Sequence, residues 1–587
     1  MDSKIVVNIG EQRFDRVIED NKFYIDKTGF IREWWEYGAT VTLFMRPRRF
    51  GKTLNMSMIE CFFSNKYAGR SDLFEGLSIW RDEKYRQLQG TFPVIFLSFA
   101  NVKTGQMKDI KTAVKQMITD IYGQYRNMME SDQFDENDRA YFRSVNDKME
   151  DDTVLISINR LCSYLAKYYG KDVIVILDEY DTPMQEAWLE GCWDEAVKFF
   201  RIFFNNTFKT NKHMFRGLMT GITRISKESI FSDLNNPDVI TTTSDKYATA
   251  FGFTEEEVFA ALDMTGFGGE KYHVKEWYNG FTFGGHMDIY NPWSIASFIS
   301  NNGKYGAYWT NTSENGLVNS LIQRGLPGVK EKMEDLLQGK NIVAEIDDQI
   351  VFHQLDSDVN AVWGLLLATG YLKVVKTEAA SFSIEDEGQF PVGQECRYHE
   401  MAEADSVWYT LGLTNLEVKR MFKKMIKNWF QGNTRIYYNE FIHSLLNDNV
   451  RKMNTFMNKV ALNTFSSFDS GNKPSQQAEP ERFYHGFVLG TVVNLADTYK
   501  IRSNRESGFG RYDVMLEPYD KNGKAFIFEF KVLDSDEDEV TLEDTLTNAH
   551  SQIEEKQYEA ELLAEGFSSE QIRKYGFAFK GKTCLIG

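Results

Sequence analysis

The stretch "LFMRPRRFGKTLNMSM" (43–58) decides how the first half of the chain folds. Its apolar start predicts a strand and the residues after Gly51 predict a helix, so Gly-Lys-Thr lies between the two. At such a helix start, free N–H groups hold phosphates, Lys52 supplies a cation and Thr53 offers a hydroxyl to magnesium. The stretch therefore predicts a phosphate-binding loop, although Arg46 replaces the first glycine of the usual GxxxxGK[ST] pattern.

The stretch "VIVILDEYD" (173–181) supplies the second half of the same pattern, an apolar strand that ends in acids. In this context Asp178 would hold the magnesium shell through water, and Glu179 would orient or deprotonate the attacking water. Acids also occur at ordinary solvated strand ends. However, both halves lie in one domain and in the expected order, and together they predict that the chain binds ATP with Mg²⁺.

Strands and helices alternate along the first 250 residues, which favours βαβ units and a parallel sheet. The predicted strands are 41–45, 92–99, 172–180 and 215–223, and the predicted helices include 107–126 and 154–169. The last of these strands ends in polar residues, which fit a γ-phosphate sensor or an ordinary strand end equally well. These polar residues are Thr220, Thr223 and Arg224.

The rest of the chain predicts further domains. The polar stretch "FDSGNKPSQQAEPE" (468–481) is rich in turn formers and marks a linker. The predicted order is a P-loop core at 1–250, a mainly helical extension at 251–400, a helical connector at 401–467, a linker at 468–480 and a smaller α/β domain at 481–587. The predicted fold class is thus α/β, with a P-loop NTPase parallel sheet and a second α/β domain.

The strand "KAFIFEFKV" (524–532) carries Glu529 and Lys531 on the face opposite its phenylalanines. The turn signal "DKNG" folds it back on "RYDVMLE", which brings Asp513 alongside. Two close carboxylates repel each other unless a cation lies between them, which predicts a divalent-metal site with Lys531 orienting the nucleophilic water. The alternatives are a solvated strand face and a structural ion pair.

Several segments carry a resemblance to a known family: "FYIDKTGFI" (23–31), "RPRRFGKTLNMSMIECFF" (46–63), "VILDEYDTPM" (175–184), "TGITRIS" (220–226) with "IFSDLNN" (230–236), and "YNGFTFGG" (278–285) with "IYNPWSI" (289–295). The chain resembles AAA-ATPase-like proteins with a C-terminal PD-(D/E)XK nuclease-type domain. That family also has arginine at the position of Arg46. The resemblance covers most of the chain, and its RPRRFGK motif is distinctive.

The resemblance implies further roles. Arg46, Arg48, Gly51 and the polar end of the 215–223 strand would join the nucleotide site. Arg48 and Arg49 would either add charge at the phosphates or act in trans as an arginine finger, and the sequence leaves both open. In the nuclease-type domain Glu481 would complete the metal shell and Gln552, near Tyr558, would buttress the site. Glu481 and Gln552 could equally be exposed helix residues.

Composition limits the partners. Acidic residues exceed basic ones by 18, so any polyanion site must be local. Residues 481–587 contain 13 Lys/Arg and 20 Asp/Glu, with Arg502, Arg505 and Arg511 as candidates for a basic lip. A homo-oligomer could also build a basic channel. Scattered cysteines, no apolar run of membrane-spanning length and no signal pattern predict a cytoplasmic protein without a membrane partner.

These features predict an ATP-binding and ATP-hydrolysing protein coupled to a nuclease that uses Mg²⁺ or Mn²⁺ and acts on DNA or RNA. One alternative is an ATP-dependent switch whose nuclease-type domain binds nucleic acid or a partner without cleaving, in phage defence or regulation. Another is an ATPase whose C-terminal domain is a structural relic, since a fold does not determine its function.

Overall fold

The computed structural model describes most of the chain. The described residues are 7, 9–103, 105–223, 237–310, 318, 321–322, 329–337, 339–346, 355, 358–379, 407–428, 434–464, 495, 498–507, 510–534, 539–580 and 583–587. The chain separates into two compact units, which we describe one at a time. Unit one is Met1–Arg324 with Val343–Val418, and unit two is Gly325–Ile342 with Lys419–Gly587.

The strands and helices have the following bounds. The strands are β1 Val41–Met45, β2 Val94–Ser98, β3 Val173–Asp178, β4 Met214–Gly221, β5 Pro237–Ile240, β6 Phe253–Thr254, β7 Phe281–Phe283, β8 His286–Tyr290, β9 Ile342–Glu345, β10 Leu372–Ala379, β11 Val407–Leu413, β12 Tyr499–Ser507, β13 Gly510–Pro518, β14 Ala525–Val532, β15 Ile572–Lys580 and β16 Thr583–Ile586. The helices are α1 Phe14–Glu19, α2 Gly29–Tyr37, α3 Lys52–Phe63, α4 Glu83–Arg86, α5 Met107–Gln124, α6 Glu136–Ser144, α7 Asp151–Tyr169, α8 Thr182–Leu189, α9 Trp193–Phe204, α10 Glu255–Met264, α11 Lys271–Tyr278, α12 Pro292–Ser300, α13 Val329–Leu337, α14 Val359–Ala368, α15 Leu416–Asn428, α16 Thr434–Leu446, α17 Val450–Thr464, α18 Leu542–Glu555 and α19 Ala560–Ala564.

Unit one is built around a parallel five-stranded sheet with the order β2-β3-β4-β1-β5. All residues of β1 and β3 are buried, as expected for central strands with helices on both faces. Because β4 lies between β1 and β3, the carboxyl ends of these three strands are neighbours. This edge is where an open α/β sheet places its ligand.

The predicted strands at 41–45, 92–99, 172–180 and 215–223 are confirmed as β1 to β4, and the helices at 107–126 and 154–169 as α5 and α7. The short strand β5 is an additional element. The extension predicted as mainly helical (251–400) also contains the three-stranded sheet β6-β8-β7 and the strands β9 and β10, which pair with β11 from the predicted connector in a second sheet, β10-β11-β9. Residues 279–290 form the β7–β8 hairpin, in which Gly284 adopts a positive φ between the two short strands.

Unit two is a five-stranded mixed sheet, β12-β13-β14-β15-β16, with β14 and β15 parallel and the other pairs antiparallel. One face packs aromatic residues of β14 and β15 against α16 and α17. The other face packs Met515, Ala525 and Ile527 against the segment that contains α18 and α19. The alternation predicted for residues 524–532 is therefore confirmed.

The boundaries of the two units differ from the predicted connector at 401–467. Strand β11 lies in unit one, whereas α16 and α17 belong to the core of unit two. Two asparagines of α17 explain this placement, because Asn454 pairs with the N–H and C=O of Ile586 (2.8 and 2.7 Å) and Asn458 does the same with Cys584 (2.9 and 2.6 Å). The helix thus covers the outer side of β16, which would otherwise be an open sheet edge. The predicted linker at 468–480 lies outside the described residues.

Within the described part of the chain, no helix has the length and apolar character needed to span a membrane.

Candidate nucleotide site and candidate metal site

The loop between β1 and α3 has a special backbone. The first helical residue is Lys52, and the residue before it, Gly51, has φ 77°. Arg49 also has a positive φ, 66°, which is uncommon for a residue with a side chain. Such loops turn several N–H groups toward one point, which suits an anion at a helix start.

Lys52 lies at the centre of this loop. Its side chain is buried, and its Nζ donates to the carbonyl oxygens of Arg46 and Pro47 at 2.9 and 3.0 Å. Burial lowers the pKa of Lys52, while the nearby charges of Glu179 and Asp178 raise it in part. The ammonium is therefore held in place by the loop before any phosphate arrives.

Asp178, the last residue of β3, is completely buried. Its two oxygens accept hydrogen bonds from two threonines: Thr53 Oγ1 donates to Oδ2 at 2.7 Å, and Thr220 Oγ1 donates to Oδ1. Burial raises the pKa of Asp178, and the two hydroxyl donors lower it in part. The hydroxyl of Thr53 on α3 and the carboxylate of Asp178 on β3 thus face each other, and these oxygen ligands fit Mg²⁺.

Glu179 follows directly and has a positive φ of 54°. Its backbone N–H donates to Thr220 Oγ1 at 3.3 Å, and its carboxylate accepts from Thr182 Oγ1 at 3.3 Å. Such a conformation costs on the order of 1 kcal/mol and is common at functional sites. The strained backbone directs the Glu179 side chain into the cavity described next.

A cavity of about 370 Å³ opens over the loop. Its polar wall includes Arg48, Arg49, Lys52, Thr53 and Glu179. Much of the remaining wall comes from parts of the chain that sequence reasoning did not assign to the site: 9–12, 23–25, Ala250 with 252–253, and 292–293 with Ala296. These segments contain several aromatic side chains, which can pack against a nucleotide base. The sequence signal for them was the aromatic content of "FYIDK" and "IYNPW", but nothing local connects those segments to the loop.

Arg46 and Arg48 take different positions. The Arg46 side chain is completely buried and donates to the carbonyl oxygens of Met45 and Thr241 at 2.9 and 2.6 Å. Its guanidinium also lies 4.4 Å from the centre of the Phe283 ring. Arg46 therefore anchors the loop to its surroundings and does not line the cavity in this conformation, whereas Arg48 does. Arg224 lies outside the described residues.

In unit two, Asp513 on β13 and Glu529 on β14 lie one step beyond the paired residues Val514 and Phe528. The backbone N–H of Phe530 donates to Asp513 Oδ2 at 2.7 Å. Residues 513, 515, 527 and 529 alternate along the two strands, so both carboxylates belong to the face that packs against α18. The predicted hairpin therefore brings them together.

Gln552 on α18 holds this pair in place. Its Nε2 donates to Glu529 Oε1 and to Tyr558 OH, the latter at 3.0 Å. Burial, together with the negative charges of Glu529 and Asp513, raises the pKa of Tyr558 to about 12. Asp513 and Glu529 together place two carboxyl groups side by side on this face, and such a pair fits a divalent cation. Lys531 lies two residues further along β14, on the same face as Glu529.

Among the residues that the structure describes, no three His, Cys, Asp or Glu side chains are grouped so that they could hold a metal ion. The third predicted ligand, Glu481, lies outside the described residues. The pair Asp513 and Glu529 is therefore the described part of the predicted metal site.

Arg502 does not form the predicted basic lip. Its side chain is 5% exposed and forms ion pairs with Glu517, Glu561 and Glu565. Two lysines, Lys500 and Lys521, complete the cluster on Glu517 at 3.2 and 3.3 Å. The charge of Arg502 is thus neutralised inside unit two and is unavailable to a phosphate backbone. The side chains of Arg505 and Arg511 lie outside the described residues.

Comparison with known families agrees with this geometry. Residues 8–231 match the family described as "Predicted AAA-ATPase", and residues 479–587 match the PD-(D/E)XK nuclease superfamily. The chain combines an AAA-ATPase-like domain with a PD-(D/E)XK nuclease-superfamily domain. A protein of Azotobacter chroococcum mcd 1, described as an uncharacterized protein in the vnfD 5′ region, is 24% identical over 541 residues, which cover 90% of this chain and 89% of that protein.

Among solved structures, a Walker-type ATPase of Pyrococcus abyssi is similar with a TM-score of 0.35 and 11% identity, over 69% of this chain and 97% of that chain. The AAA-ATPase-like match contains the loop and the acids at the end of β3. The PD-(D/E)XK match contains the carboxylate pair, Lys531 and Gln552. The predicted resemblance is confirmed for both domains.

Proposed function

We propose that the AAA-ATPase-like domain binds ATP with Mg²⁺ and hydrolyses it. The observation that supports this most is the hydrogen-bonded set of Thr53, Asp178 and Thr220 beside the buried Lys52, at the edge of the sheet where the cavity opens. Lys52 binds the β- and γ-phosphates, and Thr53 with Asp178 would hold the magnesium ion. Glu179 orients the attacking water and receives its proton.

We further propose that the PD-(D/E)XK domain cleaves the phosphodiester backbone of DNA or RNA. Asp513 and Glu529, with Glu481, would hold Mg²⁺ or Mn²⁺, which would stabilise charge on the scissile phosphate and activate a bound water. Gln552 fixes the orientation of Glu529 through its hydrogen bond. Lys531 orients the nucleophilic water.

A second candidate function is supported by the charge of this domain. Its acidic excess and the neutralised Arg502 disfavour non-specific binding to a polyanion. In this alternative the domain binds nucleic acid or a protein partner without cleaving, and ATP controls that binding.

One experiment separates these functions. Purified protein is incubated with single-stranded and double-stranded DNA and RNA, with Mg²⁺ or Mn²⁺, and with or without ATP. ATP turnover with cleavage of a nucleic acid supports the first proposal, and ATP turnover with binding alone supports the second. Protein that neither binds nor hydrolyses ATP would contradict both.

A further inference from the structure

Arg49 has an unusual position in the nucleotide cavity. Its guanidinium lies 4.1 Å from the centre of the Trp293 ring, an arrangement that favours a planar cation stacked on an aromatic face. Burial lowers the pKa of Arg49, and the charge of Glu179, which lines the same cavity, raises it in part. Among the described residues other than glycine, Arg49 and Glu179 are those that combine a positive φ with a place in the cavity wall.

Trp293 is itself fixed relative to the loop. It is the second residue of α12, whose cap, Asn291, is completely buried and accepts from the Trp293 N–H at 2.9 Å. The same asparagine donates through Nδ2 to the carbonyl oxygen of Arg48 at 3.1 Å. One side chain therefore connects the start of α12 to the residue before Arg49. This connection holds the indole beneath the guanidinium.

We propose that Arg49 is a catalytic arginine that acts in cis: stacked on Trp293, it contacts the γ-phosphate of the ATP bound by its own chain and stabilises the charge that develops during hydrolysis. This inference rests on the proposed ATPase function. It resolves the choice between cis and trans action that the sequence leaves open, because Arg49 and Glu179 line the same cavity of one chain.

The reaction assigns each group a task. The water oxygen forms a bond to the γ-phosphorus, and the bond from that phosphorus to the β–γ bridging oxygen breaks with its electron pair remaining on ADP. Glu179 receives the proton of the water, and the products are ADP and inorganic phosphate. The equatorial γ-oxygens gain charge in this step, and a planar guanidinium can donate two hydrogen bonds to them.

The first test separates binding from catalysis. Arg49→Ala should lower kcat by about 10³-fold, while the affinity for ATP changes by less than about tenfold. Binding of ADP with aluminium fluoride, which imitates the transferring phosphoryl group, should be lost. Arg49→Lys keeps the charge but not the planar fork and should remain impaired. Equal losses in affinity for ATP and for ADP with aluminium fluoride, with kcat unchanged, would overturn the proposal and make Arg49 an ordinary phosphate ligand.

A matched control is available. Arg32 also lies over an aromatic ring, 5.5 Å from the centre of the Tyr85 ring, but it is exposed and does not line the cavity. Arg32→Ala should leave kcat unchanged. Trp293→Leu should lower kcat less than Arg49→Ala and should add little when both changes are combined, whereas Trp293→Phe should retain most activity. Full additivity of the two changes would contradict positioning by Trp293.

The second test separates cis from trans action. Arg49→Ala protein is mixed with Lys52→Ala protein, and ATP turnover is measured over a range of concentrations. Action in cis predicts no turnover above the sum of the two proteins measured alone, because mixing gives neither chain both groups. Recovery on mixing would overturn the cis assignment, since an intact Arg49 would then serve the neighbouring chain. A wild-type protein without ATP binding or turnover would instead contradict the proposed ATPase function, and thermal melting of each variant confirms that it is folded.

Discussion

The nucleotide cavity and the carboxylate pair of the PD-(D/E)XK domain differ in the charge that they offer to phosphate. Among the described residues, the cavity wall contains five basic side chains, Lys27, Arg48, Arg49, Lys52 and Lys103, and two acidic ones, Glu11 and Glu179. The described part of the other site contains Asp513 and Glu529, with Lys531 two residues further along the strand. A triphosphate can therefore be attracted by the protein itself in the first site. In the second site a divalent cation must first offset the two carboxylates.

The largest effect is expected where the cation is indispensable. Asp513→Ala or Glu529→Ala should abolish metal-dependent cleavage and should also abolish any rise in melting temperature on addition of Mn²⁺. Without metal the variants should be as stable as wild type or slightly more stable, because the repulsion between the carboxylates is removed. Lys531→Ala should keep the Mn²⁺ effect and lose cleavage. Thermal melts with and without Mn²⁺ check this.

One result of these melts would contradict the metal site. If Mn²⁺ does not change the melting temperature of wild type, and the variants melt at lower temperature than wild type, the charged residues form a structural ion pair. Loss of one buried partner of such a pair lowers the stability by a few kcal/mol. The metal site, and the nuclease proposal with it, would then be wrong.

A second large effect is expected in the cavity. Glu179→Gln keeps the size of the side chain but removes the proton acceptor, so kcat for ATP should fall by about 10²–10⁴-fold. Affinity for ATP should be nearly unchanged, because the change alters activation of water and not the contacts with phosphate. Single-turnover hydrolysis and an ATP titration measure the two quantities separately. Unchanged turnover would remove Glu179 from the mechanism.

Much of this comparison could be predicted from the sequence, because it depends on local periodicity. The apolar strands β1 to β4, the helix after Gly51 and the hairpin of β13 and β14 all follow from residues close together in the chain. The alternation that places Asp513 and Glu529 on one face follows from the period of two in a strand.

Contacts between residues far apart in the chain could not be predicted. Nothing near Arg46 signals that its guanidinium donates to Thr241, and nothing near Trp293 signals that it supports Arg49. The sequence made Arg502 a candidate for a basic lip at the metal site. In the structure its charge is neutralised by Glu561 and Glu565, about 60 residues later in the chain. In each of these three cases, the side chain or carbonyl group that contacts the charged residue lies in another part of the fold.

The two units should also respond to pH in opposite directions. In unit one, burial raises the pKa of Glu417 to about 7, although Ser294 Oγ and the N–H groups of Trp309 and Thr310 donate to it. The folded state then holds a proton that the unfolded chain releases, so this contribution is full below pH 4.5 and is lost as pH rises through 7. In unit two, Arg502 and Lys521 donate to the carboxylate of Glu565 and lower its pKa, so the contribution of Glu565 to stability is lost as pH falls.

Glu417→Gln tests this difference. The amide keeps an oxygen for Trp309 and Thr310 and donates to Ser294, but it cannot ionise. The variant should lack a fall in stability on the order of 3 kcal/mol between pH 4.5 and 8 that wild type shows. Denaturant unfolding of the full chain at both pH values measures it, with the exposed Glu256→Gln as the control. Identical pH dependence in wild type and Glu417→Gln would show that Glu417 ionises as it does in water.

The smallest of these effects is expected at Lys52, and it completes the comparison of the two sites. Lys52→Ala removes one cation from a wall that still contains Arg48 and Arg49, so the affinity for ATP should fall by roughly 1.5–3 kcal/mol and not vanish. The loss should be larger for ATP than for AMP, because Lys52 meets the β- and γ-phosphates. It should also persist when Mg²⁺ is omitted, in contrast to the carboxylate site, where every effect requires the cation. Titrations of ATP and AMP, each with and without Mg²⁺, check this. Equal affinities in wild type and Lys52→Ala would contradict the phosphate-binding assignment of the loop, because the ammonium held on the carbonyl oxygens of Arg46 and Pro47 would then have no ligand to serve.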